Sequence, residues 1–163
     1  MEHARVLFVC FGNICRSPTA EGVLRHMFAT TVPPLDVEID SAGTVSHPIG
    51  SPPDPRSQLA AMRRGIDLSG LRARQVTAAD LDRFDLILAM DRNNLRAVKS
   101  LRPRTSSARL ELFLHYAQGL TDLEVPDPYF GDADGFERVL DLLTLASRGL
   151  IAALHNRPLP KSP

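Results

Sequence analysis

The chain has 163 residues, 44% hydrophobic and 23% charged, which fits one domain with its own core and excludes disorder by composition. Lys and Arg number 19 and Asp and Glu number 19, so neither a general nucleic-acid binder nor an anionic-membrane binder is expected. Taken in order, Arg5 to Cys10 is apolar without alternation, the pattern of a strand buried on both faces. Its core, Val6 to Val9, is too short for a secretion signal, and no segment of the chain is long enough to span a bilayer. The loop Phe11-Gly12-Asn13-Ile14 follows, and Ser17-Pro18 then reads as a helix cap with proline at the first helical position. Ala20, Val23, Leu24, Met27 and Phe28 recur at helical spacing, and Pro33-Pro34 closes that element.

Val37 to Asp40 alternates like a half-buried strand, and a long loop from Ser41 runs past Gly50-Ser51-Pro52-Pro53. The next helix is expected around Arg56 to Gly65, with Leu59 and Met62 inward. Thr77-Ala78-Ala79-Asp80 reads as a capping box, Phe84 to Met90 as a third strand, and Asp91 as the cap of a helix reaching about Leu101. Ala108 to Leu114 makes a fourth strand. After a loop with Pro126-Asp127-Pro128 comes a last helix, with Phe136, Val139, Leu140, Leu143, Leu150 and Leu154 facing the core. Residues 1–155 are expected to form the domain, and the proline-containing stretch 156–163 a flexible tail. Strands alternating with helices predict an α/β fold, a small doubly wound, flavodoxin-like sheet of four parallel strands with helices on both faces. Ligands of such folds sit beyond the carboxyl ends of the strands where the order reverses, which directs attention to the loop after Cys10.

That loop carries Cys10, five residues, then Arg16 and Ser17, between a strand and a helix. A loop curled at a helix N-terminus aims backbone N–H groups of Phe11, Gly12, Asn13, Ile14 and Cys15 at one spot and makes an anion cradle. Gly12 and Asn13 tolerate the positive φ of such a curl. Arg16 offers two parallel donors to phosphate oxygens. The same positive field favours the thiolate of Cys10, and Ser17 can donate its hydroxyl to that sulfur. A thiolate attacking phosphorus makes a phosphocysteine, and Asp127, stiffened by its flanking prolines, is the candidate acid for the leaving group and base for the water that follows. Tyr129 and Phe130 offer walls for a flat ring. A cysteine ending a buried strand is commonly core, and an aspartate between prolines commonly a turn residue. The combined arrangement is far more specific than its parts. Cys10 and Cys15 make neither a disulfide framework nor, without a second pair or a His cluster, a metal site, so a reducing cytoplasm is expected.

Across about residues 4 to 154 the chain resembles the low-molecular-weight protein tyrosine phosphatases. The matching stretches are Val9 to Glu21, Asp40 to Thr44, Pro52 to Arg56, Ala73 to Gln75, Met90 to Asn94 and Asp127 to Gly131. The resemblance implies Cys10 as nucleophile, Arg16 as phosphate binder, Asp127 as acid and base, Asn13 and Ser41 as braces of the loop, and no metal or cofactor. It implies phosphotyrosine proteins as partners, a bacterial tyrosine kinase among the candidates, and a monomer is favoured. Two positions depart from the pattern: His47 stands where the family often has an aromatic rim residue, and Leu71 or Arg72 where it often has His. A protein arginine phosphatase on the same scaffold is the main alternative, and a non-catalytic phosphotyrosine-binding module a further one. Against the module, binding alone needs neither Cys10 nor Asp127. Arginine-specific relatives tend to carry Thr where this chain has Ile14. Cys15 is the expected redox partner of Cys10, trapping its sulfenic acid as a disulfide.

Overall fold

The computed structural model describes residues 3–46 and 49–156. In chain order these form β1 (Ala4–Cys10), α1 (Arg16–Phe28), β2 (Val37–Gly43), α2 (Pro55–Met62), α3 (Ala78–Arg83), β3 (Leu86–Ala89), α4 (Arg92–Ser100), β4 (Arg109–Leu112), a 3₁₀ turn (Phe113–Tyr116) and α5 (Ala133–Asn156). The four strands make one parallel sheet in the order β2-β1-β3-β4. The order reverses between β1 and β3, so a crevice opens past Cys10 and Ala89.

The period of two along β1 sorts its side chains between two cores. Val6, Phe8 and Cys10 face α1 and α5, where they join Leu24, Leu86, Leu88, Leu143 and Leu150. Leu7 and Val9 face the other way, against Leu81, Phe84, Ile87 and Val98. Phe8 meets Phe113 edge-on at 4.8 Å between ring centroids, a geometry that contributes about 0.5–1.5 kcal/mol beyond area burial. A third cluster joins Cys15 and Val23 to Ala60, Leu68, Phe136 and Leu140, so α2 and the start of α5 are packed directly beside the loop after β1.

Several boundaries differ from the sequence reading, each for a physical reason. Helix α1 begins at Arg16 rather than after a Ser17 cap, because the Ser17 hydroxyl is engaged with the Cys10 sulfur. Strand β2 continues to Gly43, since Ser41, Ala42 and Gly43 pair with Phe8, Val9 and Cys10. Leu59 and Met62 are exposed, and α2 packs through Ser57, Ala60 and Ala61 instead. Small residues let α2 lie close to its neighbours, which the size of Leu59 and Met62 conceals in the sequence. The N-cap of α2 is Asp54, with proline at the first helical position. The capping box at Thr77 and the Asp91 cap of α4 are both formed. No helix among the described residues is long and apolar enough to cross a membrane.

Candidate active site

From the end of β1 the chain curls through Phe11 to Cys15 and enters α1. Asn13 makes the curl, in the left-handed region at φ 57°. Gly12 has no positive φ, and a Cβ there would meet only the Ile14 side chain at 3.8 Å. The closer constraint lies at Gly43 on β2, where a Cβ would stand 2.8 Å from the Phe11 carbonyl and 3.1 Å from the Asn13 nitrogen. The loop's carbonyls are taken up from outside. Thr44 N–H reaches the Cys10 and Phe11 oxygens at 3.0 and 2.9 Å, and Asp54 N–H reaches that of Ile14 at 2.8 Å.

Beneath the loop Asn13 ties the parts together. Its Nδ2 donates to Ser17 Oγ at 2.8 Å and to Ser41 Oγ at 3.0 Å, and its Oδ1 accepts from the Arg74 N–H at 3.0 Å. With both hydroxyl oxygens accepting from Asn13, their own protons point onward. Ser41 donates to Glu21 at 2.9 Å, and Ser17 faces Cys10 Sγ at 3.0 Å. The sulfur also accepts the Asn13 N–H at 3.2 Å. Glu21 is buried, and burial raises its carboxyl, opposed by hydrogen bonds from Ser41 and Arg25. Arg74 is fixed in turn by Asp80 at 2.9 Å and Asp40 at 3.1 Å.

Arg16 is buried behind the loop. One amino group donates to Asp91 at 2.7 Å and to the Val125 carbonyl at 3.0 Å, and the other lies 3.7 Å from Asp127. Asp91 therefore serves twice, since its second oxygen caps α4 at the Asn94 N–H. Asp127 is 45% exposed and accepts the Tyr129 N–H at 3.1 Å. Tyr129 and Phe130 stand edge to face at 4.9 Å, with Phe130 95% exposed. Cys10, Phe11, Gly12, Ile14, Cys15, Arg16, Asp127, Tyr129 and Phe130 line one cavity of about 270 Å³.

The structure thus brings together both ends of the expected site. Asn13, Ser17 and Ser41 lie under the loop rather than on the cavity wall. His47 lies outside the described residues. Cys15 is buried, which pushes its thiol up to about 12. Leu71 packs against the third core cluster, and Arg72 binds the carbonyls of Ser69 and Leu71, so among the described contacts neither hydrogen-bonds the loop. Residues whose part the sequence reading missed are Gly43, Glu21, Arg74 and Asp54, with Asp91 read only as a cap. All of them stood in matched stretches, but single-residue chemistry left them without a part in the site until the fold placed them.

The sequence profile of a family described as low molecular weight phosphotyrosine protein phosphatase matches residues 5–158. The human low molecular weight phosphotyrosine protein phosphatase is 41% identical over 152 residues, 92% of this chain and 95% of that protein. The chain belongs to this family. Among solved members, a protein tyrosine phosphatase from Entamoeba histolytica superposes with a TM-score of 0.89 at 35% identity, covering 96% of this chain and 99% of the other. A Drosophila arginine phosphatase is also similar, with a TM-score of 0.84 at 31% identity over 93% of this chain and 97% of the other. Membership in the phosphatase family agrees with the cavity, whose floor is a cysteine and whose flanks are an arginine and a carboxylate.

Proposed function

We propose that this chain hydrolyses phosphotyrosine in proteins through a phosphocysteine intermediate. One observation carries the reading. Cys10 Sγ lies buried at the cavity floor, 3.0 Å from the Ser17 hydroxyl, with the Arg16 guanidinium and the Asp127 carboxyl 3.7 Å apart on its flank. In the first step the Cys10 thiolate bonds to phosphorus and the phosphorus–phenolate bond breaks. Asp127 gives its proton to the departing oxygen, whose conjugate acid has a pKa of about 10. In the second step Asp127 takes a proton from water, the oxygen bonds to phosphorus, and the sulfur leaves as thiolate with the Ser17 hydroxyl donating to it. Arg16 holds the equatorial oxygens through both steps. Tyr129 and Phe130 border the ring, and Phe11 and Ile14 complete the apolar wall.

An arginine phosphatase is the second reading, prompted by the Drosophila structure. Ile14 speaks against it, since guanidinium N–H groups would be buried unpaired beside an aliphatic wall. Partners are phosphotyrosine proteins, and the setting is the cytoplasm, on the reading that two cysteines build no disulfide framework. Cys15 is the redox partner of Cys10 in this proposal. The test is turnover of 4-nitrophenyl phosphate with chelator present. Cys10→Ser should lose turnover yet retain phosphate binding, and Arg16→Ala should lose both. More than trace turnover in Cys10→Ser sinks the phosphocysteine mechanism.

A further inference from the structure

The stretch Pro52 to Arg56 has no role in the chemistry described so far, yet its last residue touches the acid-bearing loop. Arg56 lies at the start of α2, where the Asp54 carboxylate accepts its Nε at 3.1 Å and one amino group at 2.9 Å. That same amino group donates to the Tyr129 carbonyl at 3.0 Å, across 73 positions of sequence. The guanidinium carbon Cζ stands 5.4 Å from the Tyr129 ring centre and 4.6 Å from that of Phe136 at the start of α5. Asp54 is itself buried and anchored, its N–H held by the carbonyl of Ile14 in the phosphate cradle.

Tyr129 connects this clamp to the reacting carboxyl. Its N–H is the donor that holds Asp127 Oδ1 at 3.1 Å, and its carbonyl is the group Arg56 holds. Fixing the carbonyl on one side of Tyr129 limits the rotation of the N–H on the other. Asp127 is otherwise held loosely, 45% exposed and 3.7 Å from Arg16. We propose that Arg56 is a positioning residue that aims Asp127, through Tyr129, at the leaving-group oxygen, in register with the cradle to which Asp54 ties it. A lysine could keep the charge but has no planar fork to hold a carboxylate and a carbonyl at once.

The inference rests on Asp127 acting as the acid, so the experiment separates the two. Compare kcat/KM, which reports steps up to leaving-group departure, for phenyl phosphate and 4-nitrophenyl phosphate in the wild type, Arg56→Leu, Arg56→Lys, Asp127→Asn and the Arg56→Leu/Asp127→Asn double variant. Arg56→Leu should lose about tenfold on phenyl phosphate and under about threefold on 4-nitrophenyl phosphate, a fraction of what a general acid contributes in full. Asp127→Asn should show the same bias more strongly. The double variant should be no more biased than Asp127→Asn alone, because one residue acts through the other. Arg56→Lys should fall between wild type and Arg56→Leu. The melting temperature confirms that the half-exposed Arg56 can be replaced in a folded protein. Equal losses on both substrates in Arg56→Leu, or biases that multiply in the double variant, overturn the positioning role alone. Equal losses in Asp127→Asn overturn the acid assignment and the positioning role with it.

Discussion

Gly43→Ala is the sharpest perturbation the structure offers, because it adds one methyl group against backbone that cannot rotate away. The new Cβ would lie 2.8 Å from the Phe11 carbonyl oxygen, and 3.1 Å from both the Asn13 nitrogen and the Gly12 carbonyl carbon. Restoring ordinary contact at 3.4 Å needs a displacement of about 0.6 Å, applied to the loop that holds Cys10. Asn13 N–H is one of the displaced groups and also the donor to Cys10 Sγ. Misplacement of reacting groups by 1 Å costs about a hundredfold, so about tenfold in kcat is expected here. Overpacking of this kind costs about 1–3 kcal/mol. For a domain of this size that lowers the melting temperature by about 2–12 °C. Gly149→Ala is the control. Its Cβ would lie 1.8 Å from the Tyr116 carbonyl oxygen, which threatens stability more severely, but at a point about 20 Å along α5 from Phe136. Turnover of 4-nitrophenyl phosphate, inhibition by inorganic phosphate and thermal melts would be measured for both. Gly43→Ala should lose turnover and phosphate affinity, and Gly149→Ala should lose only stability. Wild-type kcat and phosphate affinity in Gly43→Ala would refute the close-approach reasoning.

Ile14→Thr should move the ratio of kcat/KM for phosphotyrosine over phosphoarginine toward phosphoarginine by about tenfold, since an unpaired buried polar group costs about 1–3 kcal/mol; a wild-type enzyme that already prefers phosphoarginine peptides would count against the tyrosine reading. Cys15→Ser should keep its turnover but fail to recover with dithiothreitol after excess peroxide, because the Cys10 sulfenic acid, with no neighbouring thiol to trap it, is oxidised by a second peroxide to the sulfinic acid, which thiols do not reduce. Full recovery of that variant would leave Cys15 as a packing residue, in keeping with its burial beside Val23 and Leu140.

Much of the fold was legible locally. The uninterrupted apolar run of β1, the capping box at Thr77 and the Asp91 cap depend on neighbours within a few positions, and all formed as expected. Strand ends were less legible. β2 extends through Ser41, Ala42 and Gly43 because β1 offers partners there, which no property of those residues announces. The inward face of α2 was misread for a related reason. Burial follows which face of a helix meets its neighbours, and α5 and the loop after β1 meet the face of α2 that carries Ala60 and Ala61, leaving Leu59 and Met62 exposed.

The sequence by itself determined the strand–loop–helix unit holding Cys10 and Arg16, because a phosphate cradle is built from consecutive residues. It also named Asp127 as a candidate, since a carboxyl between two prolines is visible in one dimension. Only the tertiary structure decided what holds these groups in place. Asp91 reaches Arg16 from 75 positions away, Ser41 reaches Asn13 from 28, Arg74 reaches Asn13 from 61, and Arg56 reaches Tyr129 from 73. Each contact exists because parallel strands carry their carboxyl ends to one edge of the sheet, where the segments that follow β1, β2, β3 and β4 converge. Cross-chain distances of that kind follow from strand order and register, and single-residue chemistry encodes neither.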